Sequence, residues 1–422
     1  MSALSKYKYK KQYKLLILGC YLFYMAEMTL KLIYSSTLVE IIEEFQVQKD
    51  VAAIGMTCYY FVYAAAQLVL AKFIDRINLG RFMLLTSVLS AVSFASIGLT
   101  TAIWQIWIIM GLNGVFQVTC WGAVSFYIGS LLPNDTISGA FKLISTGFAV
   151  STALSLALSS LFVGLGVWRL SFVVGAAFLL ASTVFLVIQV KKVRACLRRG
   201  DEVAPTYASL SVKGNFAIPK EMKFRAGLLL TYCTVAGFFN QALLYGISNW
   251  VPNMLREVHG FPESQSILLT IITTLSALPC TILMYSFFDK HRGRVFAAGA
   301  VNSVAVVASI VALAYFFDVN MLLALLLCVL FRFFYGCQSA SITGYVTPKM
   351  KYHINTGTSS LVTNSLGASS AGIIPFITGG LIEGEGWQDY YFFMAGLAAL
   401  LALMTFGAFC IIGRNKELNS WF

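Results

Sequence analysis

The chain has 422 residues, 58% of them hydrophobic and only 11% charged, whereas an average soluble domain is about 25% charged. No soluble core can absorb this much apolar surface, so the composition excludes an ordinary soluble protein and predicts a polytopic membrane protein. The formal net charge of +12 would suggest a nucleic-acid partner in a soluble protein, but here the charges follow the membrane topology and we expect no such partner.

Twelve apolar stretches follow one another along the chain. Each is long enough to cross about 30 Å of hydrocarbon at about 1.5 Å of rise per residue. The predicted fold class is therefore an all-α membrane protein with twelve transmembrane helices. The predicted spans 1 to 12 are 15–38, 51–71, 82–101, 104–132, 137–164, 167–190, 226–254, 264–288, 295–317, 320–347, 356–381 and 387–413.

The basic residues are distributed unevenly between the two sides of these spans. If the spans alternate in direction, 25 of the 30 Lys and Arg fall on one side. Only Lys49, Arg169 and Arg256 fall on the other side, and Lys31 and Arg332 lie inside spans. This asymmetry predicts a multi-pass protein of the plasma (inner) membrane with both termini and the central loop in the cytoplasm, in contact with anionic lipid.

Other classes of site leave no trace in the sequence. The nine cysteines are scattered, mostly in spans, without metal-ligand spacing or a disulfide framework, so we expect no metal site. No segment resembles a nucleotide-binding loop, so we expect no cofactor, no transport driven by ATP and no enzymatic activity. The first apolar segment is long and is followed by Glu40, Glu43 and Glu44, which argues against a cleaved signal peptide.

The two halves of the chain are related. The long polar interval 191–225 separates six spans from six, which divides the chain into bundles at 1–190 and 226–422 joined by a basic linker. Span 2 ends in "AKFIDRINLGRF" and span 8 in "SFFDKHRGRVF", and Asp75 and Asp289 in these loops are 214 residues apart. The repeat predicts two pseudo-symmetric six-helix bundles with a transport site between them.

The charged loops after spans 2 and 8 are candidate gates. An aspartate at a helix end, followed by basic residues, can pair with a neighbouring helix and hold one face shut. The alternative is that the basic residues only anchor the loops on the cytoplasmic side. The candidate gating residues are Asp75, Arg76, Arg81, Asp289, Arg292 and Arg294.

Together with the six-plus-six spans, these loops resemble the major facilitator superfamily, although Ala71 stands where its motif usually has glycine. Three stretches are similar to the organophosphate:phosphate antiporters, which carry glycerol 3-phosphate and hexose phosphates: "GLNGVFQ" (111–117), "LLYGISNWVPNMLREV" (243–258) and "DRINLGRF" after span 2. The resemblance implies a secondary transporter whose central cavity is lined by spans 1, 4, 7 and 10.

Lys31 is a candidate for substrate binding, because an intramembrane charge costs about 2.5–3.5 kcal/mol at the helix centre and usually serves a function. The antiporters carry a phosphate-binding arginine on span 1, seven residues after a tyrosine, and Lys31 follows Tyr24 by seven. The alternative is that Lys31 snorkels to the interface. The second arginine of the family, on span 7, is replaced by Leu244, so the paired-arginine phosphate clamp is missing.

Arg332 is the candidate replacement for that arginine. It lies twelve residues into span 10, about 18 Å along the helix and near the middle of the membrane. The alternatives are a hydrogen bond to backbone carbonyls or a cation–π contact.

Glu27 lies four residues before Lys31, on the same helical face. One interpretation is a self-neutralising pair, and the other is a proton-coupling carboxylate that releases Lys31 for substrate. The residues alone leave both open.

Uncharged polar residues complete the predicted pocket. At four-residue spacing on one helical face, spans 4 and 7 each carry a stripe that suits the hydroxyls and acceptor oxygens of a small solute. The alternative is hydrogen bonding between helices, worth about 0.6 kcal/mol per contact. The candidates are Tyr24 on span 1, Asn113, Gln117 and Trp121 on span 4, Gln241, Tyr245 and Asn249 on span 7, and Gln338 on span 10.

Together these observations predict a monomeric secondary active transporter that moves a small polar, anionic organic solute by alternating access. The solute would be a sugar phosphate, sugar acid or similar compound, driven by anion exchange or by proton symport through Glu27. Two alternatives remain open, an exporter of drugs or lipophilic compounds with the same fold and a transporter-like membrane sensor.

Overall fold

In the computed structural model, the described residues are 11–73, 78–198, 220–291, 294–342 and 356–413. The described ranges are helices joined by short loops, because helices satisfy every backbone polar group within the hydrocarbon of a bilayer. The helices of spans 1 to 6 are Lys11–Ser36, Lys49–Phe73, Leu79–Ala95, Ile103–Phe116 with Cys120–Leu131, Asn134–Gly164 and Leu170–Arg198. Those of spans 7 to 12 are Lys220–Ser248, Glu263–Leu275 with Ala277–Lys290, Val295–Phe316, Met321–Ser339, Thr356–Gly384 and Trp387–Ala408.

Eleven of the described helical segments are long and apolar enough to cross a membrane. The remaining span, span 8, is divided at Ser276 into Glu263–Leu275 and Ala277–Lys290. Pro279 explains the division, because it lacks the N–H that would bond to the carbonyl of Leu275. Counted with this divided span, the architecture has twelve membrane-crossing segments, which confirms the predicted fold class.

Span 1 ends at Ser36, close to the predicted end at residue 38. The Thr37 hydroxyl donates to the carbonyl of Ile33 at 2.9 Å, and the Thr37 N–H bonds to the same carbonyl. The short helix Leu38–Phe45 follows and carries three glutamates along the end of the bundle. We call this end the distal face; it holds the loops at 37–50, 249–263 and 383–387. The opposite end, with Lys11 and Gly413, is the proximal face.

Within the N-terminal bundle, span 1 packs closely against spans 5 and 6. The Thr29 hydroxyl donates to the carbonyl of Ser151 at 3.3 Å, and the hydroxyls of Ser36 and Ser155 are 2.8 Å apart. These contacts use the small residues of span 5, which let helix backbones approach closely in a membrane.

The two bundles meet along spans 2 and 11 and along spans 5 and 8. In the first contact the Thr57 hydroxyl donates to the carbonyl of Gly372 at 2.7 Å. In the second the Ser160 hydroxyl donates to the carbonyl of Ser264 at 2.7 Å. In both contacts a side-chain hydroxyl of one bundle bonds to the backbone of the other.

Spans 2 and 11 come into backbone contact at Gly379. A Cβ atom at Gly379 would lie 2.9 Å from the nitrogen of Asp50 and 3.0 Å from the carbonyl carbon of Lys49. Real Cβ atoms do not approach backbone atoms so closely, so glycine is required where the distal ends of these two spans cross.

A disulfide joins Cys280 of span 8 to Cys337 of span 10, which the scattered cysteine spacing did not predict. The other seven cysteines form no disulfide. The bond lies within the C-terminal bundle and therefore does not tie the two bundles together.

Gly114 of span 4 offers a test of this packing. A Cβ atom there would lie 2.5 Å from the carbonyl oxygen of Tyr59 and 2.9 Å from the nitrogen of Tyr63. Because these neighbours are backbone atoms, Gly114→Ala should destabilise the protein by about 1–3 kcal/mol and lower its melting temperature in detergent. The control is Gly122→Ala on the same span, where no atom lies within 4 Å; an equal loss in both variants would contradict the packing.

Candidate functional site

A small cavity of about 40 Å³ lies between the two bundles. It has room for a few water molecules and is too small for a sugar, so the described conformation is closed around it. Spans 1, 5, 7, 8 and 10 contribute to its lining. The polar lining residues are Ser35, Ser36, Thr152, Tyr245, Ser248, Asn249, Thr270, Thr274 and Arg332.

Arg332 brings a positive charge into this cavity. It is only 4% exposed, and its Nε and Nη1 atoms are buried without a hydrogen-bond partner. Its guanidinium carbon lies 5.5 Å from the ring centre of Tyr335, the cation–π contact that was one of the alternatives. A ring attracts a cation without accepting its N–H groups, so the buried donors still lack the acceptor that burial of a charge requires.

Span 7 supplies the polar wall next to Arg332. Tyr245 and Asn249 line the cavity, and the Asn249 amide lies 3.4 Å from the sulfur of Met56, a weak acceptor. Gln241, the third member of the predicted stripe, is half-buried with its Oε1 atom unpartnered, but it does not line the cavity. Two of the three predicted residues are therefore placed at the cavity.

Lys31 lies close to the cavity but outside its lining. Its Nζ atom is 5.5 Å from the ring centre of Tyr60 and 6.0 Å from that of Tyr59. The Tyr60 ring in turn lies 5.1 Å from that of Tyr245 across the bundle interface. Lys31 therefore points into the protein rather than snorkelling, and the Tyr60–Tyr245 contact separates its ammonium group from the Arg332 cavity.

Glu27 is 1% exposed, and its Oε2 atom has no hydrogen-bond partner. The salt bridges among the described residues do not include a Glu27–Lys31 pair, because the ammonium group lies over the tyrosine rings instead. The structure therefore does not support the self-neutralising pair, and it leaves a buried carboxyl group near the cation.

Three of the predicted pocket residues are engaged in hydrogen bonds between helices. Asn113 accepts from the Ser90 hydroxyl at 2.9 Å and donates to that of Ser93 at 3.0 Å, both on span 3. Gln117 accepts from Tyr59 at 2.6 Å and donates to the carbonyl of Glu27 at 3.4 Å.

Gln338 is likewise held inside the C-terminal bundle. It donates to the Thr405 hydroxyl at 3.2 Å and accepts from Asn302 at 3.3 Å. Asn113, Gln117 and Gln338 do not line the cavity. Their hydrogen bonds agree with the alternative interpretation, in which these residues join neighbouring helices.

Tyr24 and Trp121 form an aromatic pair apart from the cavity. Their ring centres are 5.7 Å apart in an edge-to-face arrangement, and the Trp121 ring also lies 6.1 Å from that of Phe141. Trp121 is 41% exposed, so the pair forms a partly open surface where spans 1, 4 and 5 meet. These two predicted pocket residues remain candidates.

The predicted gates lie on the proximal face. Asp75, Arg76 and Arg292 lie outside the described residues, as does the side chain of Asp289. Arg81 and Arg294 are exposed at the starts of their helices. The proximal gate therefore stays a prediction.

The distal face carries ion pairs between the bundles that the sequence analysis did not predict. Lys49 of the N-terminal bundle lies 3.0 Å from Glu257 and 3.4 Å from Glu383, both of the C-terminal bundle. Arg256 of the C-terminal bundle contacts Glu43 of the N-terminal bundle and lies 3.2 Å from Glu263. We call these six residues the distal latch.

A sequence signal for the distal latch was present. Lys49, Arg169 and Arg256 are the three basic residues on the side with few positive charges, and each forms an ion pair with a glutamate in the structure. Arg169 pairs with Glu44 at 2.6 Å inside the N-terminal bundle and is not part of the latch. A basic residue on the side where basic residues are rare, close to glutamates, indicates an ion pair rather than an anchor.

A larger groove of about 600 Å³ lies between spans 2 and 4. Its lining includes Phe61, Trp104 and Ile108, which are exposed on the outer surface of the bundle. It faces the region of the lipid chains, so we do not assign it to solute.

Comparison with known proteins decides the family. The sequence matches the model of the Major Facilitator Superfamily over residues 17–372. The chain belongs to the major facilitator superfamily. It is therefore a multi-pass membrane transporter of that superfamily. The curated proteins contain no match to the chain, so the similarity to the organophosphate:phosphate antiporters stays a prediction.

Solved structures of other transporters share the fold. A bacterial homolog of the human lysosomal transporter Spinster, in an inward-facing and unoccupied conformation, is 14% identical with a TM-score of 0.73, and 95% of this chain and 97% of that chain are covered. The nucleoside transporter NupG is 15% identical with a TM-score of 0.67, and 95% of this chain and 99% of that chain are covered. At this identity the likeness shows the fold of this major facilitator protein and not its solute.

Substitution of two asparagines tests which polar residues hold helices together and which line the cavity. Asn113→Ala removes the partner of the buried Ser90 hydroxyl and of the half-buried Ser93 hydroxyl, and it should destabilise this transporter by about 1–3 kcal/mol. Asn249→Ala should change stability little, because the Asn249 amide donates only to the sulfur of Met56, a weak acceptor. Thermal unfolding in detergent measures both variants. A large loss in Asn249→Ala, or none in Asn113→Ala, would show that the assignment is wrong.

Proposed function

We propose that this transporter moves a small polar organic anion by alternating access between its two bundles. The observation that carries the proposal is the buried Arg332 guanidinium, which has no acceptor among the described residues and lines a cavity at the bundle interface. A bound anion would supply that acceptor through charge-assisted hydrogen bonds.

The charge of the cavity lining favours a monoanion over a phosphate ester. Arg332 is the only charged residue among the described residues that line the cavity, and Lys31 lies beyond the Tyr60–Tyr245 contact. One guanidinium balances one carboxylate, whereas a phosphate dianion would keep an unbalanced charge in a poorly hydrated site. We therefore propose a sugar acid or a similar hydroxylated monocarboxylate, with Tyr245, Asn249 and the serine and threonine hydroxyls bonding to its hydroxyl groups.

The orientation of the protein in the membrane follows from the distribution of its positive charges. With the basic proximal face in the cytoplasm, the distal latch lies on the outer side of the plasma membrane. The latch closes that side in the described conformation. Import or export requires it to open while the predicted gates at Asp75–Arg76 and Asp289–Arg294 close the cytoplasmic side.

We propose that a proton accompanies the solute and that Glu27 carries it. Glu27 is buried and lacks an ion-pair partner among the described residues, and a neutral, protonated carboxyl group is the form that such a site tolerates. Lys31 is close enough for its charge to act on Glu27. When Lys31 moves away from the tyrosine rings towards Glu27, the carboxyl group would lose its proton.

Arg332→Gln tests the anion site. Because the substitution removes a buried charge that lacks a partner, the solute-free variant should be as stable as the wild type or more stable. Gluconate should raise the melting temperature of the wild type more than glucose 6-phosphate or glucose does, and this shift should disappear in Arg332→Gln. Thermal unfolding of purified protein with each probe measures both effects.

Arg194→Gln is the matched control, because Arg194 is exposed at the end of span 6; it should keep the gluconate shift. Stabilisation by glucose that survives in Arg332→Gln would contradict the anion site. A larger shift with glucose 6-phosphate than with gluconate would indicate that the site binds a phosphate ester rather than a carboxylate.

Glu27→Gln tests whether proton movement is coupled to solute transport. In proteoliposomes an inwardly directed proton gradient should drive gluconate uptake by the wild type and not by Glu27→Gln, which cannot release a proton. Exchange of labelled for unlabelled gluconate at equal pH should continue in the variant, because it needs no net proton movement. If uptake by the wild type does not depend on the proton gradient but requires an internal anion, the transporter works by anion exchange and not by proton symport.

A further inference from the structure

Glu40 is a buried carboxyl group that plays no part in the proposed transport site. It lies in the first turn of the short helix Leu38–Phe45 at the distal face. It is 8% exposed, and neither of its carboxyl oxygens accepts a hydrogen bond from the described residues. A buried carboxylate without donors is unfavourable, so this group needs either a cation or a proton.

Glu263, the first residue of span 8 in the C-terminal bundle, lies close enough to Glu40 for its charge to act on that carboxyl group. Arg256 connects the two helices, because it contacts Glu43, three residues after Glu40, and lies 3.2 Å from Glu263. Two ionised carboxylates have no proton to donate to each other, which accounts for the unpartnered oxygens of Glu40. With one proton between them, the two groups would form a hydrogen bond that joins the N-terminal and C-terminal bundles.

We propose that Glu40 and Glu263 form a proton-binding site that fastens the two bundles together at the distal face. One carboxyl group holds the proton and donates it to the other, beside the ion pairs of the distal latch. Loss of the proton leaves two negative charges facing each other across the bundle interface and favours opening of that face.

The cations in the described part of this face already have partners. Arg256 is the cation whose charge acts on Glu40, but its guanidinium is shared by Glu43 and Glu263. The remaining groups have partners elsewhere: Glu44 pairs with Arg169, Lys49 with Glu257 and Glu383, and the ring of His259 bonds to the carbonyl of Phe317. A proton is therefore the ligand left for the Glu40 carboxyl group.

The difference in the pKa of Glu40 between the closed and the open state determines how closure of the distal face depends on pH. Burial, together with the neighbouring Glu263, raises the pKa of Glu40 from 4.5 to about 9. When the bundles separate, Glu40 becomes hydrated and its pKa returns towards the ordinary glutamate value of about 4.3. The closed state therefore holds the proton more tightly, so closure is favoured at low pH and is lost as the pH rises towards 9.

The test measures the opening of the distal face directly and without solute. Nitroxide labels are placed at Thr101→Cys and Val319→Cys, exposed positions in the distal loops of the two bundles. The seven cysteines outside the disulfide are replaced, and Cys280 and Cys337 are kept. Pulsed electron paramagnetic resonance in lipid nanodiscs then gives the distance distribution between the labels from pH 6 to pH 9.

In the labelled protein with both glutamates intact, the ratio of the long to the short distance should rise with pH, by up to about tenfold per unit. Glu40→Gln should stay in the short distance at every pH, because its amide donates permanently to the Glu263 carboxylate. Glu263→Gln, with the amide on the other partner, should do the same and serves as the second variant. Glu44→Gln is the control, because Glu44 pairs with Arg169 inside one bundle, and it should keep the pH response.

Three results would overturn the proposal. The first is a distance distribution that does not change with pH when both glutamates are intact. The second is a pH response that persists in both Glu40→Gln and Glu263→Gln, which would assign it to other groups. The third is its loss in Glu44→Gln. Because no solute is added, each result is independent of the anion site at Arg332.

Discussion

Arg332 places a positive charge between two helical bundles, 4% exposed and without an acceptor among the described residues. Removing such a charge from water costs several kcal/mol unless a partner compensates, and the face of Tyr335 compensates only in part. The cavity of about 40 Å³ holds little water, so the guanidinium gains most from an anion. Under the proposed function, the solute completes a polar cluster that the protein leaves incomplete.

The interior polar residues fall into two groups according to whether their hydrogen bonds are complete. Asn113, Gln117 and Gln338 have partners on neighbouring helices, and they hold each bundle together. Arg332, Glu27 and Glu40 have unpartnered atoms, and these are the groups to which we assign an anion and protons. In a membrane protein the incomplete groups indicate function better than polarity alone does, because bonds between helices are common and individually weak.

Much of this architecture was predictable from the sequence, because hydrophobic length and the distribution of basic residues depend only on local composition. Hydropathy identified the twelve spans, and the intramembrane position of Arg332 marked it as a candidate site residue. The pattern did not show that span 8 breaks at Ser276, although Pro279 was a signal. It also did not show that the Tyr60–Tyr245 contact separates Lys31 from Arg332. A four-residue stripe shows that residues share a helical face, but not whether that face meets a cavity or another helix, since this depends on the rotation of each helix in its bundle.

The glycine at position 379 brings the backbone of span 11 directly onto that of span 2. A contact between two backbones, with no side chain inserted, lets one helix roll over the other about a nearly fixed line. Positions close to that line move little when the bundles rock, and positions far from it move most. Lys49 and its ion pair with Glu383 lie beside this contact and should move little. Glu263 begins span 8, at the other contact between the bundles, where a rotation of a few degrees is enough to break a hydrogen bond.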